Sequence, residues 1–373
     1  MRAVVCALMI ATASCAFAAD TAWCPDSAGD RADAIPRYDH ILVIIAENHG
    51  YDQIIGNPNA PNLNRLATTY GSATQFYGEV HPSKANYIAM VGGDTFGIHD
   101  DDPYFCRADS PQNDCPQVKK NVPYPDHTVT ARSLTDQLEE RHLTWKGYYE
   151  SIPEPGSKAV YYPDPQHAVA GQPNELYAVK HNAFMQFRAV QNDPALASKI
   201  VGFDQLDRDL ASGQVPNYAH IVPNQCNEMH GLDGHAPNVP QDCAWDDDAG
   251  RIARADKAIG ALVEKIQASP IWSAPGNTAI VITWDEDNDP KEKSGPQGCC
   301  GDDPKSPADF GGGRIPTIVI TNHGPRGVAD DIPYNHYSLL RTTEDAFCLG
   351  EYLGHAGDTA AGVKSMVPLF RAK

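Results

Sequence analysis

His40-Ile41-Leu42-Val43-Ile44-Ile45-Ala46-Glu47-Asn48-His49-Gly50 is an unbroken apolar run that stops on an acid, an amide, an imidazole and a glycine. A short run of β-branched residues bounded by polar ones reads as a strand buried on both faces, as in a parallel sheet covered by helices. Ligands of such sheets bind in the crevice beyond the carboxyl ends of the strands. Glu47 and Asn48 therefore stand where a strand hands its side chains to a site, and both offer hard oxygen ligands to a metal ion. The competing reading is a strand end in water, with Asn48-His49-Gly50 as a turn. The rest of the chain decides between them.

Two later segments repeat the pattern. Tyr218-Ala219-His220-Ile221-Val222 leads into Pro223-Asn224-Gln225-Cys226-Asn227-Glu228-Met229-His230-Gly231, and Thr278-Ala279-Ile280-Val281-Ile282-Thr283 ends on Trp284-Asp285-Glu286. Further strands are expected over 143–149 and 315–320. Helical periodicity lies between them. Leu63, Leu66 and Ala67 precede a stop at Gly71, Ser133-Leu134-Thr135-Asp136 opens a helix with a capping box, and Phe184, Phe187 and Val190 form a stripe that reads as core. Asp246-Asp247-Asp248 start a helix through Ile266, where acids suit the helix dipole and read as structural. A last helix begins near His336. The alternation predicts an α/β fold: a central, mostly parallel sheet with helices on both faces.

Between the first helix and a long Asp-, Pro- and Cys-rich surface insertion at 94–130 lies Val80-His81-Pro82-Ser83-Lys84-Ala85-Asn86-Tyr87. A serine just after a proline, opening a run of helix formers, can sit on the first turn of a helix. There the dipole and free N–H groups favour a phosphoryl group or an alkoxide. Ser83 is a candidate nucleophile, with a helix cap as the alternative. If the three acid-bearing strand ends are adjacent and parallel, their side chains share one crevice and can hold a hard cation. A metal beside Ser83 would lower its hydroxyl pKa, and nearby histidines could protonate a leaving oxygen.

Composition narrows the setting. The first residues carry Arg2, an apolar run and Ala16-Phe17-Ala18, the order of a secretory signal peptide over 1–18, so the chain is expected to be exported to the periplasm or beyond. No later run reaches the roughly 20 apolar residues a membrane helix needs. The formal charge of −19 argues against nucleic acid as a partner. Of ten cysteines, Cys6 and Cys15 fall within the signal. The other eight read as disulfides in an oxidising compartment: Cys106 with Cys115, Cys226 with Cys243, and Cys24, Cys299, Cys300 and Cys348 in a pairing the sequence leaves open. Without a repeat or a Gly/Ser linker, residues 19–373 are expected to form one domain with loop insertions.

Glu47-Asn48, His81-Pro82-Ser83 with Asn86-Tyr87, Lys180-His181-Asn182, Pro223-Asn224 through His230, Trp284-Asp285-Glu286 and His336-Tyr337-Ser338-Leu339-Leu340-Arg341-Thr342 resemble the successive blocks of the bacterial phosphoesterase family. That family groups phospholipases C with secreted acid phosphatases and belongs to the alkaline phosphatase superfamily, so the resemblance implies an alkaline-phosphatase-like fold. It also implies that Ser83 forms a phosphoseryl intermediate. Glu47, Asn48, Asp285 and Glu286 with Ser83 would surround one metal ion, calcium, magnesium, manganese or zinc. His181 and His230 would bind the phosphate or act as acid and base. His81 and Asn86 would assist Ser83 or only shape its turn, and His336 would be catalytic or a helix-cap residue. Glu228 departs from the aspartate the family often shows. The expected function is a metal-dependent acid phosphatase acting on small phosphate monoesters. The alternatives are a phospholipase C acting on diesters, with phospholipid headgroups as partners, and a catalytically silent protein that binds phosphorylated ligands.

Overall fold

The computed structural model describes residues 34–288, 298–300 and 311–372; the signal segment and Cys24 lie outside them. The strands are β1 (His40–Ala46), β2 (Gly71–Tyr77), β3 (Trp145–Tyr149), β4 (Tyr161–Tyr162), β5 (Tyr177–Ala178), β6 (Ile200–Val201), β7 (Tyr218–Val222), β8 (Thr278–Trp284), β9 (Arg314–Thr321), β10 (Val328–Asp330) and β11 (Tyr334–Asn335). A nine-stranded sheet runs β10-β2-β9-β8-β1-β7-β3-β6, with β11 also on β2, and β4 and β5 form a separate ribbon. Within the sheet, β9 alone is antiparallel to its neighbours β8 and β2. All other pairings in it are parallel, including both neighbours of β1.

Ile41, Val43 and Ile45 point to one face of β1 and Leu42 and Ile44 to the other, and none is more than 1% exposed. A strand buried on both sides needs a layer on each face. The helices pack in two groups accordingly: Pro61–Thr69 against Asp248–Gln267, and Ser83–Gly92 against His336–Phe347. The sheet is thus the mostly parallel α/β core that the alternation predicts.

Three local differences matter. Residues 71–77 form β2, which the sequence reading passed over, because Gly-Ser-Ala-Thr-Gln lacks a run of large β-branched residues. Phe184, Phe187 and Val190 are buried as expected, but Phe184 sits on a 3-10 turn (Phe184–Gln186), Val190 on a short helix (Arg188–Asn192) and Phe187 at the junction between them, not on one helical stripe. Segment 94–130 is irregular, yet it folds inward onto the N-terminus of the Ser83–Gly92 helix. Disulfides join Cys106 to Cys115, Cys226 to Cys243, and the adjacent Cys299 and Cys300.

Candidate active site

Adjacent parallel strands bring the acids together. Beyond the end of β1, the Glu47 N–H donates to the Glu228 carbonyl at 2.7 Å, and the Asp285 N–H donates to the Ala46 carbonyl at 3.3 Å. The backbone pairing therefore continues one step past β1 and β8 and reaches the loop six residues beyond β7, and it delivers Glu47, Glu228 and Asp285 to one crevice. All three are fully buried, and Glu286 is 2% exposed.

Ser83 arrives from the end of β2. Gly78 pairs with both Gly312 and Gly313 just before β9, and a Cβ on Gly78 would stand 2.7 Å from the Asp285 carbonyl oxygen, so the close approach requires glycine. Next comes a turn closed by Asn86. Its Oδ1 accepts from the N–H groups of Glu79 and Val80 at 2.8 and 3.2 Å, and its Nδ2 donates to the Val80 carbonyl at 2.7 Å. Pro82 is the N-cap residue and Ser83 the first helical residue. The hydroxyl does not cap its own helix. It lies 3.1 Å from Glu47 Oε2 and 3.0 Å from Glu286 Oε1, and Asn48 Nδ2 is 3.4 Å from it and 2.8 Å from Glu286 Oε1.

This acidic cluster is electrostatically incomplete. Burial, and then repulsion from Asp285, pushes the Glu47 carboxyl well up; burial, and then Glu286, does the same to Asp285. Neither oxygen of Asp285 nor Glu228 Oε2 makes a close hydrogen bond, and for Asp285 only the Ser83 hydroxyl and the Glu286 N–H lie near. Buried carboxylate oxygens without donors are costly. A hard cation satisfies them with its own coordination, so the donor set fits a metal ion. A second grouping shares Glu47: one ligand atom each from Glu47, His181 and His230 lie within 4.8 Å of one another.

The opposite wall is nitrogen-rich. His181 is clamped between Glu47 Oε1 and Glu228 Oε1, each at 3.0 Å, and stacks on Tyr87 with centroids 5.3 Å apart. Burial, reinforced by Lys180, holds its imidazole pKa well down. His230 Nδ1 lies 2.8 Å from the Gly231 carbonyl and its Nε2 3.3 Å from Lys180 Nζ. Burial and Lys180 lower its pKa to about 3, so the ring is neutral, donates from Nδ1 and accepts from Lys180 at Nε2. His81 is partly exposed; its Nδ1 meets Glu286 Oε2 and its Nε2 lies 3.5 Å from Asp287 Oδ1.

His336 is spent differently. Its Nε2 lies 2.9 Å from the Trp284 carbonyl and its backbone N–H donates to Glu79, which locks the helix His336–Phe347 onto the end of β8. Sequence reasoning missed Lys180 and Asp101. Lys180 stands beside His181 in the sequence, but a lone lysine carries no pattern. Asp101 lay in what read as a surface insertion, yet its Oδ2 is 3.0 Å from Lys180 Nζ and its Oδ1 3.1 Å from the Lys84 N–H on the first turn of the serine's helix.

A metal-compatible nest of acids around a helix-N-terminal serine, at the carboxyl ends of a parallel α/β sheet, defines a hydrolase-type centre. Residues 57–350 match the Phosphoesterase family; the chain belongs to that family and is a hydrolase acting on phosphoric ester bonds. It is 26% identical over 321 residues to a phosphatidylinositol-3-phosphatase of Mycobacterium tuberculosis, covering 86% of this chain and 81% of the relative. It is 26% identical over 309 residues to an acid phosphatase of Aspergillus fumigatus, of which it spans 53%, with 81% of this chain covered. Among solved structures it is similar to a Vibrio parahaemolyticus protein of the alkaline phosphatase superfamily, with a TM-score of 0.48, 14% identity, and coverage of 84% of this chain and 68% of that one.

Proposed function

We propose that the protein is an exported, metal-dependent phosphatase that hydrolyses phosphate monoesters through a phosphoseryl intermediate. The observation that carries this reading is the Ser83 hydroxyl held between Glu47 and Glu286 on the first turn of a helix. Glu47, Asn48, Asp285 and Glu286 would hold the metal ion with Ser83. When bound, such an ion favours the serine alkoxide and offsets phosphate charge. The chain's own groups do the rest. A carboxylate beside Ser83 takes the hydroxyl proton, Oγ attacks phosphorus, and the P–O bond to the ester oxygen breaks with its electron pair leaving on that oxygen. His81, open to solvent and flanked by Glu286 and Asp287, supplies the proton the leaving oxygen needs. His230, whose Nε2 accepts from Lys180, is poorly placed as an acid and reads as a phosphate-side residue, while His181 orients Glu47. Asn86 and His336 read as positioning residues. Water then cleaves the phosphoserine and releases phosphate.

The grouping of Glu47, His181 and His230 favours a second placement of the metal. Against it, Lys180 Nζ already stands on His230 Nε2, so a cation serves that wall. The disulfides support export to an oxidising compartment. Among the described residues no helix is long and apolar enough to cross a membrane.

The test is turnover of p-nitrophenyl phosphate, its bis-ester and phosphatidylinositol 3-phosphate by the protein and by Ser83→Ala. Monoester turnover, lost in the variant by a thousand-fold or more on the scale of about 4 kcal/mol, is expected. Near-normal activity in Ser83→Ala would end the nucleophile assignment, and dominant bis-ester turnover would establish the phospholipase C reading in its place. Asp285→Asn abolishing metal binding while His230→Ala preserves it would fix the metal beside Ser83.

A further inference from the structure

Resting on that reading, we infer that Asp101 is a positioning residue that holds Lys180 as the cation receiving the substrate's phosphate. The crevice contains four buried carboxylates, Glu47, Glu228, Asp285 and Glu286, and a phosphate monoester brings further negative charge to them. A single metal ion offsets only part of that charge. Lys180 is the lysine whose head group enters this wall, and its Nζ touches His230 Nε2 at 3.3 Å.

Left to itself, a flexible ammonium beside four acids would settle on one of them. Coulombic attraction to Glu47 already draws on Lys180. Asp101 prevents the collapse by holding Nζ at 3.0 Å from the side of the 94–130 segment. The same carboxylate accepts the Lys84 N–H at 3.1 Å, so cation and nucleophile helix are referred to one group. Asp101 is itself well anchored. Its neighbour Asp100 meets His127 at 2.5 Å and accepts the Asp102 N–H at 2.9 Å, Asp102 accepts from Tyr124, and the Asp102 carbonyl accepts from the buried Lys84 ammonium. His127 in turn donates its backbone N–H to the Cys106 carbonyl at 2.8 Å, next to the Cys106–Cys115 disulfide. The insertion thus acts as a rigid buttress, and Asp101 is the part that reaches the site.

The experiment is a double-mutant cycle on the full chain with Asp101→Asn, Lys180→Met and both, adding Asp101→Glu as the charge-restoring variant. KM and kcat for p-nitrophenyl phosphate, and inorganic phosphate binding by calorimetry, are read for each. Asp101→Asn should raise KM and the phosphate Kd about tenfold with kcat changed less than about threefold, the loss of one placed charge on bound phosphate. Lys180→Met should do at least as much, the double variant no more than Lys180→Met alone, and Asp101→Glu should recover part of the loss. Unchanged phosphate affinity in a folded Asp101→Asn protein would overturn the inference, as would losses that simply add in the double variant. Phosphate binding keeps the two readings apart. A protein that turns over no ester but binds phosphate through Asp101 and Lys180 would remove the phosphatase and keep the inference; one that turns over monoesters with a KM and a phosphate affinity indifferent to Asp101 would keep the phosphatase and remove the inference.

Discussion

Asp256 and Asp285 are both buried aspartates, 2% and 0% exposed, and the fold treats them in opposite ways. Asp256, on the helix Asp248–Gln267, accepts from the Asn62 N–H at 3.1 Å, Asn62 Nδ2 at 2.9 Å and the Leu63 N–H at 2.8 Å. It thereby ties down the start of the helix Pro61–Thr69, where free N–H groups favour a negative charge. Asp285, at the end of β8, makes no close hydrogen bond on either oxygen, with only the Ser83 hydroxyl and the Glu286 N–H near it. A carboxylate with three N–H donors joins elements; one with no close hydrogen bond is destabilising as it stands and persists only for something it binds. Burial is common to both. Satisfaction is what separates the structural acid from the functional one.

The contrast breaks first at Asp285. Asp285→Asn should lower kcat/KM for a phosphate monoester about a thousand-fold, the several kcal/mol that a metal ligand controls. The metal-free variant should melt no lower than the metal-free parent, because one repelling buried charge has gone. A variant that keeps its activity, or that unfolds, would place Asp285 with Asp256. Next in size is the metal itself. After chelation, a divalent ion supplied at about a hundred times its Kd should stabilise the parent by about 2.7 kcal/mol and leave Asp285→Asn unmoved. Thermal unfolding with and without ion reads both; equal shifts in the two proteins would move the metal away from Asp285.

The same contrast explains what the sequence could and could not reveal. The ends of β1, β7 and β8 were legible because buried parallel strands write themselves as apolar runs, and an acid at the end of such a run is conspicuous. Ser83 was legible through Pro82 and the helix formers after it. β2, which delivers Ser83, was not: it is small and polar, and its place is fixed by β9, β10 and β11 around it. Nor was the fate of the histidines. His81, His181, His230 and His336 look alike in sequence, and only tertiary contacts show that one faces solvent, one is clamped by Glu47 and Glu228, one accepts from Lys180 and one fastens a helix. Asp101 was invisible for a further reason. Its partners, Lys84 and Lys180, are 17 and 79 positions away, and no local pattern records such pairs.

On the structural side, Asp256→Asn should cost about 2 kcal/mol, since an amide turns an N–H toward donors that now face an acceptor. Urea unfolding should show the loss at unchanged slope, with kcat intact. Lost activity without lost stability would give Asp256 a role in the site and blur the distinction.

Glu344 lies between the two cases. It is 1% exposed; its Oε1 accepts the Leu353 N–H at 2.9 Å, while its Oε2 makes no close hydrogen bond and the Gln137 side chain is the other donor near the carboxyl. Burial pushes its carboxyl up to about 8, while an unfolded glutamate releases its proton near pH 4.3. Between those values the folded chain keeps a proton that the unfolded chain has given up. Stability from this residue is therefore full at low pH and is lost as pH rises toward 8, by at most about 1.4 kcal/mol per pH unit. Glu344→Gln, neutral at every pH, should remove that slope and raise stability at pH 8 relative to the parent. The difference between the two chelated proteins across pH 5 to 8 isolates Glu344 from the crevice acids, which both retain. Superimposable profiles would mean that the Leu353 N–H and the Gln137 side chain suffice to keep a buried carboxylate charged, and the scale running from Asp256 to Asp285 would lose its middle.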